Sequence, residues 1–161
     1  MEMFIKGNWI GLIVFLLVCF AIAALASIAT RPEIPTWYAG LLKPSWTPPA
    51  WLFGPVWTAL YAAMAVAGWV VWHRAGWRGG RLALTLFALQ LVLNGAWSFI
   101  FFKFHSVGWA FAEIVALWVA IAATIVTFAG VSQLSSLLLI PYLAWVTYAA
   151  ALNLAIWRMN E

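Results

Sequence analysis

The sequence predicts an all-α, polytopic membrane protein in which residues 1–161 form one domain, a bundle of five transmembrane helices. The first observation behind this prediction is composition, because 67% of the 161 residues are hydrophobic and only 7% are charged. Soluble domains average about 45–50% apolar and about 25% charged residues, and a soluble chain of this length cannot bury so much apolar side chain. The composition excludes a secreted disulfide scaffold, a cytosolic enzyme domain and a disordered tail.

The second observation is that charged residues divide the chain into uncharged stretches, each long enough to cross the hydrocarbon layer with about 20 helical residues. The first span is predicted at residues 8–30, between Lys6 and Arg31. Its apolar run exceeds the roughly 7–15 residues of a signal peptide, so we expect it to be retained. The second span is predicted at 52–73, because prolines crowd the segment before it and proline is tolerated only in a first helical turn.

The remaining three spans follow in order. The third is predicted at residues 82–103, because 21 uncharged residues lie between Arg81 and Lys103. The uncharged stretch near the C-terminus is too long for one helix. Small and polar residues at 130–136 are typical of a turn, and they separate a fourth span at 107–129 from a fifth at 135–157.

The connection between the first two spans, residues 31–51, is long and rich in proline. It holds five of the seven prolines and the large rings Trp37, Tyr38, Trp46 and Trp51. Each proline restricts its own φ and the residue before it, so the loop has few conformations to lose on ordering. Helix–helix connections usually take about 2–8 residues, and longer ones are typical of binding lids. We expect this loop to cover a ligand site.

The basic residues are few and scattered. The chain carries eight Lys and Arg and a net charge of +4, but apolar spans separate them, which argues against a nucleic-acid partner. Five spans place the two termini on opposite sides of the membrane. Four Lys and Arg then fall on each side, so the positive-inside rule assigns no orientation.

Polar and aromatic side chains recur at helical spacing on three spans, where such groups normally face a bundle interior. These stripes comprise Trp57, Tyr61, Met64 and Gly68 on the second span, Gln90, Asn94, Trp97, Ser98 and Phe101 on the third, and Tyr142, Trp145, Ala149, Leu152 and Asn153 on the fifth. Two interpretations are open. In one, Asn94 and Asn153 bond between helices; in the other, the rings and amides line an apolar pocket with a few polar fixing points.

Few side chains are suited to catalysis. His73 and His105 fall on opposite sides of the membrane, which excludes a metal site shared between them, and the sequence predicts no metal ligands and no required cofactor. Cys19 has no histidine in its own span to activate it. Glu113 is the one acid inside a span, and we expect it to pair with Lys103 or His105 rather than to relay protons.

Four motifs are distinctive. They read WYAGLLKPSWTPP at 37–49, WLFGPVWTALY at 51–61, QLVLNGAWS at 90–98 and PYLAW at 141–145. In this order they resemble the translocator protein family, whose members are also called tryptophan-rich sensory proteins and peripheral-type benzodiazepine receptors. The resemblance covers nearly the whole chain and indicates a bacterial member.

The resemblance implies a membrane receptor or sensor that binds tetrapyrroles, such as protoporphyrin IX or haem, and benzodiazepine- or isoquinoline-type drugs. The pocket would lie between the helices beneath the first loop, and the protein would transport its ligand or regulate tetrapyrrole metabolism. A homodimer in the bacterial cell membrane, or alternatively in the outer membrane, is also implied. The ligand-binding residues implied by position are Tyr38, Pro44, Trp57, Tyr61, Asn94, Trp97, Trp145 and Ala149.

Two alternatives to a receptor stay open. If the protein breaks down protoporphyrin in light, the resemblance implies Trp57 and Trp145 as the residues involved; otherwise no catalytic residue is predicted. The second alternative is a scaffold that binds sterols or lipids. The mammalian cholesterol pattern needs a basic residue within about five residues of a tyrosine, whereas nine residues separate Tyr148 from Arg158, so that pattern fails.

Overall fold

The computed structural model describes residues 9–161, which over that range form helices and connecting turns without a β-strand. The helices are α1 (Trp9–Thr30), α2 (Trp37–Gly40), α3 (Ala50–Ser98), α4 (Val107–Ala129), α5 (Gln133–Leu138) and α6 (Ile140–Met159), with a π-helical turn at Phe99–Lys103. The predicted all-α class is therefore confirmed. Residue 8, the predicted start of the first span, and Lys6 lie outside the described residues.

Helix α3 consists of two antiparallel arms joined at Gly76. Gly76 has φ 60° and ψ −173°, a backbone conformation that glycine adopts without the steric cost of a Cβ. The arms pair in opposite directions, because Phe87 lies against Gly68 while Asn94 bonds to Tyr61 further from the bend. The connection predicted between the second and third spans is thus reduced to a single non-helical residue.

Helix α1 lies in the furrow between the two arms of α3. The Phe15 ring packs against Gly68 on the first arm and lies 6.0 Å, centroid to centroid, from Phe87 on the second. One turn earlier in α1, a Cβ on Gly11 would lie only 2.6 Å from the Trp72 ring. Most of the remaining α1 surface is exposed, as expected for a helix whose outer face contacts lipid.

The predicted fifth span, residues 135–157, is divided into α5 and α6 at Leu139. Pro141 lies in the first turn of α6, and since proline has no N–H it cannot bond to the carbonyl four residues earlier. The start of α5 is capped by Ser132, whose hydroxyl accepts the Ser135 N–H at 3.3 Å. The proline therefore converts one predicted helix into two segments.

Four segments of the described chain are long and apolar enough to cross a membrane: Trp9–Thr30, Ala50–Lys103, Val107–Ala129 and Gln133–Met159. The second is 54 residues long and reverses at Gly76, so it supplies two antiparallel helices. With both arms counted, five helices of a polytopic bundle are present in the described range.

Candidate functional site

A buried hydrogen-bond network joins the two arms of α3 to α6. Asn94 accepts a hydrogen bond from the Tyr61 hydroxyl, and its amide donates to the Tyr142 hydroxyl oxygen at 2.9 Å. Tyr142 in turn donates to Gln90 Oε1 at 2.9 Å, and the Gln90 amide faces the Met64 sulfur at 3.9 Å. All five side chains are buried. Buried polar side chains in a membrane bundle hydrogen-bond between helices, and this network holds α3 and α6 together in that way.

A second polar link joins α3, α4 and α6 nearer the first loop. The Trp97 indole N–H donates to Asn153 Oδ1 at 3.1 Å, and the Asn153 amide donates to the Val107 carbonyl at 2.9 Å. The Trp97 ring also stacks on Phe101, with centroids 5.0 Å apart. Asn153 and Asn94 therefore both bond between helices, each with its own partners, as the first interpretation of the polar stripes predicts.

Helix α2 of the first loop sits on rings of the π-helical turn. The Tyr38 centroid lies 6.3 Å from that of Phe101 and 5.6 Å from that of Phe102. Trp37 contacts Phe101 edge-on at 5.5 Å. Leu152 of α6 is buried in the same cluster. This aromatic cluster seats the loop on the end of the bundle.

An open apolar groove lies between the start of α3 and α6 and has a volume of about 530 Å³. It is lined by Pro48, Leu52, Val56, Leu60, Pro141, Ala144, Trp145 and Tyr148. The Trp145 ring stands edge-on to Phe53, with centroids 5.9 Å apart. Behind the groove, the Trp57 ring packs inward against Tyr61 and Tyr142 at 5.6 and 6.2 Å. We call this cavity the α3–α6 groove.

The first loop is clamped to α6 at two places. The Asn160 side chain accepts the Leu42 N–H at 3.0 Å and donates to the Leu42 carbonyl at 2.9 Å. Asn160 is itself oriented by a bond to the Ile156 carbonyl at 2.8 Å. The Tyr148 hydroxyl donates to the Trp46 carbonyl at 2.7 Å. Since Tyr148 also lines the α3–α6 groove, these bonds hold the loop against the edge of that groove.

A third clamp ties the beginning of the loop to the turn before α4. His105 Nε2 lies 3.0 Å from a carboxylate oxygen of Glu33, and the imidazole stacks on Trp37 with centroids 4.2 Å apart. His105 has φ 52°, a left-handed conformation that is uncommon for a residue other than glycine. The strained backbone is thus compensated by two contacts with the loop.

Lys43 stabilises the interior of the loop. Its ammonium donates to the carbonyls of Tyr38 at 2.6 Å and Leu41 at 2.9 Å, and it lies 4.8 Å from the centre of the Tyr38 ring. A cation at these carbonyls suits the negative end of a short helix. Burial raises the pKa of the Tyr38 phenol above its ordinary value, and the nearby Tyr148 hydroxyl adds to the rise, which keeps the phenol neutral under the lysine.

The expectation that Glu113 pairs with Lys103 or His105 is wrong. Both carboxylate oxygens of Glu113 are buried and have no hydrogen-bond partner among the described residues. The loop brings Glu33 to His105 instead, and Lys103 is exposed at the end of the π-helical turn. The sequence does not show that Glu33, and not Glu113, is the partner of His105, because this pairing depends on where the loop folds back.

Comparison with known proteins identifies the family of this chain. Residues 15–158 match the model of the TspO/MBR family. The chain belongs to the TspO/MBR family. It is 40% identical to the tryptophan-rich protein TspO of Archaeoglobus fulgidus, over 95% of this chain and 99% of that protein. It is 45% identical to the translocator protein of Homo sapiens over 78% of this chain and 75% of that protein, and 35% identical to the tryptophan-rich sensory protein of Cereibacter sphaeroides over 95% and 93%.

In this TspO/MBR protein, five of the predicted ligand-binding residues lie at or near the α3–α6 groove. Trp145 lines it. Trp57 packs behind it on Tyr61, and Tyr61 bonds to Asn94. Ala149 is half-buried against the main core. The polar atoms of Tyr61 and Asn94 are engaged with protein partners, so the groove as seen offers a ligand mainly apolar and aromatic surface.

The other three predicted residues lie under or in the loop. Tyr38 and Trp97 belong to the aromatic cluster around Phe101. The Pro44 carbonyl accepts the backbone N–H of Thr47 at 3.0 Å and its hydroxyl at 2.8 Å. Pro44 thus shapes a turn of the first loop rather than the groove wall.

The structure adds residues that the predicted set left out. Gln90 and Tyr142 complete the buried network. Both belong to the polar stripes described in the sequence analysis, so the sequence pattern could have identified them. Tyr148 and Asn160 clamp the loop, and nothing in the sequence pattern marks a contact between Asn160 and Leu42, which lie 118 residues apart.

Proposed function

We propose that this membrane protein is a receptor or sensor that binds a flat tetrapyrrole, such as protoporphyrin IX or haem, in the α3–α6 groove. Membership of the TspO/MBR family supports a receptor or sensor role in a membrane, and relatives carry the names translocator protein and tryptophan-rich sensory protein. The observation that carries the tetrapyrrole proposal is an apolar groove of about 530 Å³ that contains Trp145 and is edged by a clamped loop.

The chemistry of the groove suits a flat, apolar ligand with acidic edges. Rings such as Trp145 and Phe53 present faces and edges on which a planar macrocycle stacks. The membrane side that holds the loop also carries Arg31, Lys43 and Arg158, cations of the kind that pair with carboxylate side chains of a tetrapyrrole. Benzodiazepine- and isoquinoline-type drugs are flat and apolar too, and the same groove would hold them.

Titration with protoporphyrin IX tests the proposal. We expect saturable quenching of tryptophan fluorescence in lipid nanodiscs. Trp145→Leu should weaken binding by about fivefold, because an aromatic pair contributes about 1 kcal/mol beyond its buried area. Trp77→Leu is the matched control, since Trp77 is exposed close to the bend of α3. Absence of saturation, or equal dissociation constants for all three proteins, would contradict the proposal, and competition by sterol alone would favour a lipid-binding scaffold.

The loop clamp gives a kinetic prediction. Asn160→Ala removes both bonds to Leu42, which are solvent-exposed, so together they contribute about 1 kcal/mol, equivalent to about fivefold. We expect protoporphyrin to dissociate about fivefold faster and amide hydrogens at residues 41–47 to exchange faster. Thr36→Ala serves as control, because the Thr36 hydroxyl bonds only to the Pro32 carbonyl within the loop. Unchanged dissociation in Asn160→Ala would show that the loop is a connector and not a lid.

Light-dependent breakdown of bound porphyrin is a second candidate function, favoured by the position of Trp145 in the groove wall and of Trp57 just behind it. Turnover separates it from simple binding. Consumption of more than one porphyrin per protein with intact Trp57 and Trp145 would support an enzyme. Loss of one tryptophan per porphyrin would indicate sacrificial photochemistry.

A homodimer is part of the proposal. The second arm of α3 exposes Leu82, Leu89 and Val92, an apolar face that either lipid or a second copy would cover. Chemical cross-linking in bilayers is expected to trap a dimer, and recovery of monomer alone at every lipid-to-protein ratio would remove this part of the proposal.

A further inference from the structure

A second open groove lies between the π-helical turn and α4, with a volume of about 540 Å³. It is lined by Ile100, Phe104, Ser106, Trp109, Ala112 and Glu113, and shares no described lining residue with the α3–α6 groove. The rings of Phe104 and Trp109 are 70% and 76% exposed. This second cavity, the α4 groove, is therefore a separate apolar surface edged by two exposed rings and one acid.

Glu113 is the feature of the α4 groove that packing does not explain. Among the described residues it is the one acid in a membrane-spanning segment, and both of its oxygens are buried without a hydrogen-bond partner. On the same helical face, Ala110, Ile114 and Leu117 are buried apolar residues. An apolar side chain would suit this position better, because an unpaired acid in a membrane is costly and is normally kept for function.

The position of Glu113 along the membrane-spanning helix α4 determines which part of a ligand can reach its carboxyl group. Glu113 follows the first residue of α4, Val107, by six positions, which places it about 9 Å along the helix axis. The carboxyl thus lies one to two turns inside the span, within reach of the polar head of an amphiphile whose tail lies in the bilayer.

We propose that the α4 groove binds an amphiphile whose single charge is an ammonium group. The Glu113 carboxylate turns from the groove floor toward the ammonium and pairs with it, while Phe104 and Trp109 contact the cation and its apolar tail. Exposed rings change rotamer rapidly, so they permit this rotation. Glu113 is the one charged side chain among the described lining residues, so the groove wall offers a partner for an ammonium and none for a phosphate, which favours an amine without a phosphate.

Electron paramagnetic resonance in phosphatidylcholine nanodiscs tests this site with two matched probes. They are spin-labelled hexadecylammonium, whose N–H groups can donate to a carboxylate, and spin-labelled hexadecanol, which differ only in the head group. We expect the motionally restricted fraction to show a preference of about tenfold for the ammonium probe, the size of one charged hydrogen-bonded contact. Glu113→Gln should abolish the preference, whereas Glu161→Gln, which removes an exposed terminal carboxylate, should keep it.

Trp109→Leu provides an independent arm because it leaves Glu113 in place. It should weaken binding of the ammonium probe about two- to fivefold, as expected for an exposed cation–π contact. Glu113→Gln should fold with no loss of thermal stability, since the carboxyl it replaces has no described partner. Equal preference in wild type and Glu113→Gln, no preference in wild type, or loss of the preference when phosphatidylethanolamine replaces phosphatidylcholine would each overturn the proposal.

Discussion

Gly68→Val is expected to lower the free energy of unfolding by about 2–3 kcal/mol, the cost of forcing extra atoms into a well-packed core. Gly68 lies where α1 meets both arms of α3. A Cβ there would lie 2.7 and 2.9 Å from two atoms of the Phe15 ring and 3.0 Å from the Phe87 ring. The Phe87 ring has little room to yield, since it is buried and also stacks on Phe128 with centroids 5.7 Å apart.

Reversible unfolding in mixed detergent micelles measures this effect. Gly54→Val is the matched control, because apart from its own helical turn no described atom lies within 4 Å of a Cβ at Gly54, and it should cost less than about 0.5 kcal/mol. Adding Phe15→Leu to Gly68→Val should recover part of the loss by making space. A Gly68→Val protein as stable as the Gly54→Val protein would show that α1 does not pack into the furrow of α3.

Asn94→Leu is expected to cost about 2 kcal/mol, because it leaves buried hydroxyl groups without partners in the middle of the bundle. Asn94 is the acceptor for Tyr61 and the donor to Tyr142. After the substitution the Tyr61 hydroxyl has no partner left among the described residues, and of its two described partners Tyr142 keeps only Gln90. Leucine and asparagine side chains are similar in size, so the loss in unfolding free energy measures mainly the broken hydrogen bonds and not a change in packing.

The same unfolding assay measures this second effect. Gln133→Leu removes an exposed amide at the start of α5 and should change stability by less than about 0.5 kcal/mol. In Asn94→Leu, the additional change Tyr61→Phe should be nearly neutral, because the hydroxyl it removes is already unpaired. An Asn94→Leu protein as stable as wild type would mean that the network contributes nothing net to the bundle.

The amino-acid sequence by itself determined the fold class. Hydropathy and the spacing of charges are properties of contiguous segments, and so they predict helices such as residues 107–129, where the structure has α4 at Val107–Ala129. The proline-rich loop and the tryptophan motifs are also contiguous in the sequence, so they can be recognised without a structure. They indicated the family that the match over residues 15–158 confirms. Polar stripes also signalled that Asn94 and Asn153 would face other helices.

Only the tertiary structure decided which of these side chains meet. Glu33 reaches His105 across 72 residues and Leu42 reaches Asn160 across 118, while Glu113, expected to be paired, has no described partner. Such pairings depend on how far each helix is rotated about its axis, where the chain reverses at Gly76 and how the loop folds back. Those are properties of the packed bundle. A stripe of polar residues at helical spacing shows which face of its own helix is buried, but not which residues of a neighbouring helix that face will contact.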